Sequence, residues 1–348
     1  IGFGEKKRKN TNTNQTQTKH QREAATGETM SAQISVSERK FIERSIDLDC
    51  RVDGRSRLDY RPFEIDVGVV PQANGSAHIK LGPTQVLVGV RVEIGEPDAK
   101  KPDQGRVFCS VDWCGSSDGW IQLHTLAGST GNSKEAAEVK HVQGVVSASL
   151  EQRLKRCLVP EIPEKATAFH STSKGLNLES LVLVAGSRCW NVMVDCLILS
   201  AGGNIFDAIS IAARAALQNT TIPKVKIIAG EDDGEVELEL SDDPMDCEKL
   251  EGAEHVPLCI TLTKVGSKNY YIVDPTPEEE QCSTLQLTVA VNDLGSVCGV
   301  SKTGVNSLEP MSLIQMIKDA QKIGELLIAE QENLLNEKGP IQRFTLFQ

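Results

Sequence analysis

The stretch RCWNVMVDCLILSAGGNIFDAISIAARAAL occupies residues 188–217. Its apolar first half predicts a strand at about 189–200, and the following residues AGGN turn the chain into a helix. This helix, at 205–219, carries small residues throughout, and small residues let a helix press closely on a sheet or on another helix. The strand, turn and helix close the first of two predicted βαβ-like halves, which join near residue 220.

The glycines of AGGN (201–204) allow two interpretations. Glycines before a helix N-terminus can form an anion site. They are also what a tight strand-to-helix turn requires, because glycine tolerates backbone conformations that other residues avoid. Since no arginine or lysine adjoins the segment, we favour the tight turn.

Upstream of this stretch, alternating apolar residues predict antiparallel strands with one buried face, most clearly in TQVLVGVRVEI (84–94). A helix over 34–46 precedes them, and Ser35 and Glu38 have the spacing of a capping box. The apolar residues predicted to lie near one face of this helix are Ile34, Phe41, Ile42 and Ile46. The other predicted elements are strands at 62–70, 76–82 and 106–113, a loop at 95–105 and a long helix at 133–156.

Downstream of residue 220 the same outline returns more loosely, without a clear sequence repeat. Its predicted elements are strands at about 224–228, 235–241, 256–264, 269–274, 284–292 and 296–301, followed by a helix at 310–336.

The first residues of the chain are polar and show no hydrophobic periodicity. They predict a disordered leader or upstream sequence read as protein, with KKRK (6–9) as an alternative targeting signal. The predicted organisation is a leader (1–33), an N-terminal helix (34–50), a first domain (51–220), a second domain (221–306), a C-terminal helix (307–336) and a tail (337–348).

The composition is typical of a soluble globular protein, with 39% hydrophobic and 24% charged residues among 348. The formal net charge is −11, whereas free-standing nucleic-acid binders usually show a basic footprint. Lys100, Lys101 and Arg106 form a basic loop in this acidic chain. Exposed charges are usually only solvated, and contact with an RNA backbone is the alternative. No apolar run approaches the roughly 20 residues of a membrane span.

The sequence lacks the residue patterns of the common metal and nucleotide sites. The ten cysteines contain no CxxC pair and no Cys/His set at zinc spacing, so buried reduced thiols of an intracellular protein are expected. The six histidines form no HxH or HExxH pair. GSTGNSKEAA (128–137) lacks the spacing of a Walker loop and predicts a flexible loop that caps the next helix. We therefore predict neither a metal nor a cofactor.

The stretch YIVDPTPEEEQ (271–281) is a strand that runs into a tight turn and gathers four carboxylates. Clustered carboxylates can hold Mg²⁺ or perform acid–base chemistry. They can also be an ordinary solvated turn, and the residues alone leave both interpretations open.

Three long segments occur in a characteristic order: RVDGRSRLDYR (51–61), GSAHIKLGPTQVLVGVRVEIGEP (75–97) and the stretch at 188–217. Together they resemble the RNase PH superfamily and, within it, the ring subunits of the eukaryotic RNA exosome. The resemblance extends over about 34–335. It implies an α+β, RNase PH-like fold of the ribosomal protein S5 domain 2-like kind, in which two βαβα-type halves have mixed sheets packed on helices. It also implies a place among six such subunits in a ring around a central RNA channel.

Active members of this superfamily degrade RNA from its 3′ end by phosphorolysis, so the resemblance implies where a site would lie. Two acidic residues six apart correspond to Asp274 and Glu280. The phosphate loop at the start of the long helix corresponds to Lys134–Ala137, where its glycines and arginine are missing, and no arginine occurs within 107–152. Since each lost anion donor costs roughly 10²–10³-fold in rate, we expect no activity, with Asp274 and Glu280 as vestigial acidic positions.

The predicted function is therefore that of a non-catalytic ring subunit. It would scaffold the exosome barrel for 3′-to-5′ processing and degradation of RNA, including rRNA maturation and mRNA decay, with Lys100, Lys101 and Arg106 as candidate RNA contacts. The resemblance implies as partners the other RNase PH-like subunits of a hetero-hexamer, S1/KH cap proteins, associated hydrolytic ribonucleases and RNA, with no membrane. It implies the nucleus, nucleolus and cytoplasm as locations. Two alternatives are an active phosphorolytic 3′-to-5′ exoribonuclease, alone or through a composite site with a neighbouring subunit, and a scaffold unrelated to RNA.

Overall fold

The computed structural model describes residues 34–114, 133–159, 175–229, 236–241, 246–266, 268–304 and 306–338. The helices are α1 (Val36–Asp47), α2 (Ser133–Leu158), α3 (Ile205–Gln218), α4 (Pro277–Gln281) and α5 (Pro310–Lys338), with a 3₁₀ turn at Ala253–His255. The strands of the first half are β1 (Phe63–Val67), β2 (Gly75–Leu81), β3 (Thr84–Gly95), β4 (Arg106–Trp113), β5 (Val182–Val184) and β6 (Arg188–Ser200). Those of the second half are β7 (Thr221–Pro223), β8 (Val225–Ala229), β9 (Val236–Leu240), β10 (Cys247–Lys249), β11 (Leu258–Val265), β12 (Tyr271–Val273), β13 (Ser283–Val291) and β14 (Val297–Thr303).

Helix α1 begins at Val36, two residues after the predicted start, because the Ser35 hydroxyl caps it by accepting a hydrogen bond from the Glu38 amide at 3.2 Å. Ile42 and Ile46 are buried against the second sheet, as expected. The placement of Phe41 near the same face was wrong, since its side chain is 62% exposed. Consecutive residues of a helix point about 100° apart, so Ile42 and its neighbour cannot both face the sheet.

The first sheet has the order β1-β2-β3-β6-β4, and β5 pairs with β6. Strand β4 runs parallel to β6, whereas the other pairs are antiparallel, so the sheet is mixed. Alternation along β3 buries Val86, Val88 and Val90 completely, as a strand with one face on a core requires.

Helix α3 packs on β2 and β3 of the first sheet and on β11 of the second. Nearly all of its residues are buried, and its alanines allow this close approach on both sides. The approach is closest at Gly75 of β2, where a Cβ atom would lie 2.5 Å from the carbonyl oxygen of Ala216. The small-residue helix predicted from the sequence is thus the shared core of both halves.

The second sheet has the order β12-β11-β13-β14 and is antiparallel throughout the described residues. Helix α5 packs across β11 and β13 and reaches β1 of the first sheet. The predicted α+β class is confirmed, while the mixed character belongs to the first sheet. None of the described helices combines the length and the apolar character that crossing a membrane would require.

Candidate functional site

The turn after β6 packs directly against the loop after β12. Gly203 has a φ of +82°, and a Cβ atom there would lie 2.4 Å from the carbonyl oxygen of Pro275, so only glycine fits. The Arg61 guanidinium donates to the carbonyl oxygens of Gly202 at 2.7 Å and Gly203 at 3.2 Å. The AGGN segment is therefore a tight turn, and an arginine from far upstream in the sequence lies beside it.

Asp274 is completely buried in this junction, and both of its carboxylate oxygens accept hydrogen bonds. Oδ1 accepts from Arg61 Nη2 at 2.6 Å and from Asn204 Nδ2 at 3.0 Å. Oδ2 accepts from Arg55 Nη1 at 2.8 Å and from the backbone N and Nε of Arg61 at 2.9 and 2.7 Å. Burial alone would raise the pKa of Asp274, but the hydrogen bonds and charge of Arg61, with the charge of Arg55, hold it below its usual value. Asp274 is therefore an ionised carboxylate enclosed by donors of the protein itself.

The residues after Asp274 form the one-turn helix α4 rather than the tight turn expected from the sequence. Thr276 and Glu279 make a reciprocal capping box, and Pro277 occupies the first turn, where its missing N–H costs nothing. The Glu279 side chain is buried, and both of its oxygens bind the Arg51 guanidinium. This ion pair fixes the rotation of α4 and thereby the direction of Glu280.

A second buried carboxylate, Asp207, lies in the first turn of α3. Its Oδ2 accepts from the Tyr60 hydroxyl at 2.6 Å and from the Thr261 amide at 2.9 Å, and its Oδ1 accepts from the Thr261 hydroxyl at 2.7 Å. Burial raises the pKa of Asp207 above its usual value, although these hydrogen bonds act in the opposite direction. The network ties the first half to β11 just behind the junction.

Glu280 differs from the other two carboxylates because it lines an open cleft of about 780 Å³. The cleft lies between α2, the start of α3 and the beginning of β13. The Oε1 atom of Glu280 accepts from the Asn204 backbone N–H at 2.8 Å. Burial raises the pKa of Glu280 from 4.5 to about 7, against the favourable charge of Arg61. This carboxyl group can exchange a proton near neutral pH.

Two further side chains define the chemistry of the cleft. Gln286 of β13 lies six residues after Glu280 and also lines the cleft. Arg153 of α2 is the cation among the described residues of the lining. Its guanidinium stacks 3.9 Å from the ring centroid of Phe206, and its Nη2 donates to the Thr288 hydroxyl at 2.7 Å. The described lining therefore combines one carboxyl group, the amides of Asn204, Gln286 and Asn306, and one arginine that already binds Thr288 and stacks on Phe206.

Comparisons with known proteins agree with this architecture. Residues 59–223 match the model of the 3′ exoribonuclease family, domain 1, and residues 255–323 match domain 2 of the same family. A Dictyostelium discoideum protein named "Putative exosome complex exonuclease RRP42" is 34% identical over 323 residues, which cover 88% of this chain and 98% of that protein.

The chain belongs to the RNase PH family.

An archaeal relative, the "Exosome complex component Rrp42" of Pyrococcus furiosus, is 34% identical over 292 residues, 83% of this chain and 91% of that protein. Among solved structures, a chain of the Archaeoglobus fulgidus exosome with RNA bound to its active site superposes with a TM-score of 0.62 at 26% identity. The superposition covers 84% of this chain and 96% of the archaeal chain. The similarity therefore extends over both halves of the RNase PH fold.

The six-residue spacing implied for acidic residues of an RNase PH site has two possible placements here. Asp274 and Glu280 meet around Asn204, but Asp274 is enclosed and is not among the residues that line the cleft. Glu280 and Gln286 have the same spacing, and both line it. The side chains that reach the cleft therefore include a carboxyl group at the first position and an amide at the second.

The basic loop predicted to touch RNA lies at the other end of the first sheet. Arg106 is opposite Asn191 in the β4–β6 register, whereas β6 reaches the AGGN turn at Ser200. At about 3.3 Å per residue, this length of strand puts roughly 30 Å between the basic loop and the junction. Lys100, Lys101 and Arg106 are exposed, and their contact with RNA stays a prediction.

The predicted phosphate loop lies largely outside the described residues. The backbone of Lys134–Ala137 belongs to the first turns of α2, while its side chains and residues 115–132 are not described. Within the described ranges, no three or more His, Cys, Asp or Glu side chains are grouped so as to hold a metal ion.

The raised pKa of Glu280 predicts a specific pH dependence of stability. Because the folded state holds this proton more tightly than the unfolded state does, the favourable contribution is complete below pH 4.5 and is lost as the pH rises through about 7. The Glu280→Gln variant has no such proton to lose. The difference between its free energy of unfolding and that of the wild type should therefore shift in favour of the variant by up to about 3 kcal/mol as the pH rises from about 5 to about 8.

Urea denaturation of both proteins at several pH values measures the difference. The control is Glu278→Gln, which removes an exposed carboxylate from the same helix and should leave the wild-type slope in place. Parallel curves for Glu280→Gln and the wild type would show that Glu280 titrates normally.

Proposed function

We propose that this chain is a ring subunit of an RNA exosome and that it has no working phosphorolytic site of its own. Relatives that match along most of their length are named as a "Putative exosome complex exonuclease" or as an "Exosome complex component", and similar solved structures come from archaeal exosomes. Assembly into a ring with other RNase PH-like subunits follows from this similarity.

The enclosure of Asp274 is the observation that supports the lack of activity. A carboxylate that transfers a proton or holds a metal needs an oxygen directed at the reactants. Both oxygens of Asp274 instead accept from Arg55, Arg61 and Asn204, and the side chain is completely buried. The carboxylate therefore serves the fold by joining the two halves.

The composition of the cleft supports the same conclusion. Phosphorolysis brings inorganic phosphate against a phosphodiester, so a site for it needs fixed positive charge around two anions. Arg153 is the cation of the described lining, and it is bound to Phe206 and Thr288. No arginine occurs in the sequence between 107 and 152 to supplement it.

We further propose that S1/KH cap proteins and hydrolytic ribonucleases bind the assembled ring, and that the complex acts in the nucleus, nucleolus and cytoplasm. These proposals extend the implied role in rRNA maturation and mRNA decay. Co-purification of tagged protein from separated nuclear and cytoplasmic fractions tests both: the ring subunits, the cap proteins and the ribonucleases should be recovered from each.

The activity test uses single-stranded RNA, inorganic phosphate and the release of nucleoside diphosphates. We expect no phosphate-dependent release from the chain alone, because the described lining of the cleft holds a single carboxyl group and a single arginine, which is bound to Phe206 and Thr288. In a ring reconstituted with its RNase PH-like partners, the wild type, Glu280→Gln and Glu278→Gln should give equal rates. Asp274→Ala is unsuitable for this assay, because it removes a buried structural partner of Arg55 and Arg61.

A composite site shared with a neighbouring subunit is the second candidate. Its support is that Glu280, with a pKa of about 7, and Arg153 line one cleft. If it is correct, Glu280→Gln should lower the rate of the ring by about 10²-fold or more, while Glu278→Gln should not. A chain that fails to enter the ring on size-exclusion chromatography would instead contradict the exosome assignment.

A further inference from the structure

Two thiols from different halves of the molecule meet beside the cleft. Cys157 lies in the last turn of α2, Cys259 lies in β11, and their Sγ atoms are 3.1 Å apart. The two residues are 102 positions apart in the sequence. Cys259 is completely buried, whereas Cys157 is half-buried. The contact thus presents one accessible thiol with a second thiol behind it.

A separate cavity of about 190 Å³ adjoins this pair, and its lining includes Arg153, Arg156 and Cys298. A cavity needs roughly 10–15 Å³ of volume to hold one water molecule. Hydrogen peroxide, which has two oxygen atoms instead of one, therefore fits into this cavity. The hydrogen bond from the Cys259 thiol lowers the pKa of Cys157, and the positive charge of Arg153 acts in the same direction, against burial. The site therefore combines a partly exposed thiol, an adjoining cavity and nearby positive charge.

We propose that Cys157 is a peroxide-reactive thiol and that Cys259 converts its oxidised form into a disulfide between the two halves. The thiolate is the form of cysteine that attacks peroxides. An accessible thiol beside a resolving thiol is the arrangement found in redox-sensitive sites. Neither Cys157 nor Cys259 is part of a disulfide in the structure, so the pair is available for this reaction. The proposal does not depend on the exosome assignment.

The reaction balances with a hydroperoxide as the oxidant. The Cys157 thiolate attacks the peroxide oxygen, an S–O bond forms, the O–O bond breaks, and the departing hydroxide takes a proton from solvent to become water. The Cys259 sulfur then attacks the sulfenic acid, an S–S bond forms, and the S–O bond breaks. The departing hydroxide takes the Cys259 thiol proton as a second water. Two thiols lose two electrons, and one hydrogen peroxide gains them.

The disulfide requires only a small movement. Sulfur atoms in a disulfide are about 2.05 Å apart, so the two Sγ atoms must approach by about 1 Å from their present separation. Cys157 is followed by only one more residue of α2, and a shift of this final turn provides the movement. Since Arg153 and Phe206 line both this cavity and the larger cleft, the link would fix a shared wall of the cleft.

Peroxide oxidation of the full-length reduced protein tests the proposal. After treatment with increasing hydrogen peroxide, the remaining thiols are blocked, the protein is digested, and disulfide-linked peptides are identified by mass spectrometry. We expect the Cys157–Cys259 link to form at a lower peroxide concentration than oxidation of Cys50, which is exposed. Cys259→Ser should accumulate a sulfenic acid at Cys157 that dimedone traps, and Cys157→Ser should form no link to Cys259.

The wild-type experiment keeps the proposal falsifiable even if a serine variant folds poorly, and circular dichroism identifies such a variant. Three results would overturn the proposal: a first link between Cys157 and Cys298, oxidation of Cys50 before Cys157, or the same order of oxidation in concentrated urea. The last result would show that the fold does not direct the reaction.

Discussion

Asp274→Ala is expected to destabilise the folded chain by about 3–5 kcal/mol, the usual cost of removing one partner from a buried ion pair. Alanine would leave the Arg61 guanidinium, which is about one-tenth exposed, without its carboxylate. It would also remove a partner of Arg55 and of Asn204. Urea denaturation at neutral pH measures the loss as a lower midpoint.

The chain offers a matched control in Asp53→Ala. Asp53 binds the same Arg55 at 2.6 Å, but its side chain is one-third exposed, and exposed pairs contribute about 0–1 kcal/mol. Because the pKa of Asp274 is lowered in the fold, its contribution is present above its ordinary pKa and disappears as the pH falls through the folded value. Equal midpoints for the two variants would contradict a structural role for Asp274.

The sequence predicted most elements of the fold because their patterns are local. Alternating valines marked β3, and the Ser35 cap marked the start of α1, both of which the structure contains. The ends of the longer helices were predicted to within about two residues, an accuracy better than is usual for element boundaries. Phe41 was misplaced because helical spacing alone does not say which edge of an apolar stripe touches the sheet.

The three consecutive glutamates show why the site was harder to predict. Glu278 is exposed, Glu279 is buried on Arg51, and Glu280 lines the cleft. Their roles follow from rotation by about 100° per helical residue, which has meaning only once α4 is recognised as a helix. Thr276 followed three residues later by Glu279 was a readable capping signal, and it would have fixed this rotation.

The enclosure of Asp274 had no local signal at all. Its donors come from Arg55 and Arg61, more than 200 positions earlier, and from Asn204, 70 positions earlier. The segment 51–61 was informative as a family motif, yet sequence alone did not show that its arginines serve a buried carboxylate.

Arg51→Met is the second change expected to have a large effect, again about 3–5 kcal/mol. The Arg51 side chain is completely buried, and that of Glu279 is 3% exposed. Arg51 also donates to the carbonyl oxygens of Val273 and Asp274, each at 2.9 Å. Without it, Glu279 would be a buried charge with no cation, and segment 48–61 would lose one of its anchors to the second half.

A double-mutant cycle separates the pair from its surroundings. If the two side chains stabilise each other, Arg51→Met with Glu279→Gln should cost less than the sum of the single changes, with a coupling energy of about 1–3 kcal/mol. Arg57→Met is the control, because Arg57 pairs with Asp49 at 2.9 Å on the exposed surface. This substitution should cost at most about 1 kcal/mol.

Hydrogen exchange should also rise across 48–61 in Arg51→Met, since this segment carries Arg55 and Arg61 to Asp274. Unchanged protection there, or strictly additive energies, would mean that the Asp274 junction holds the two halves together without help from Arg51.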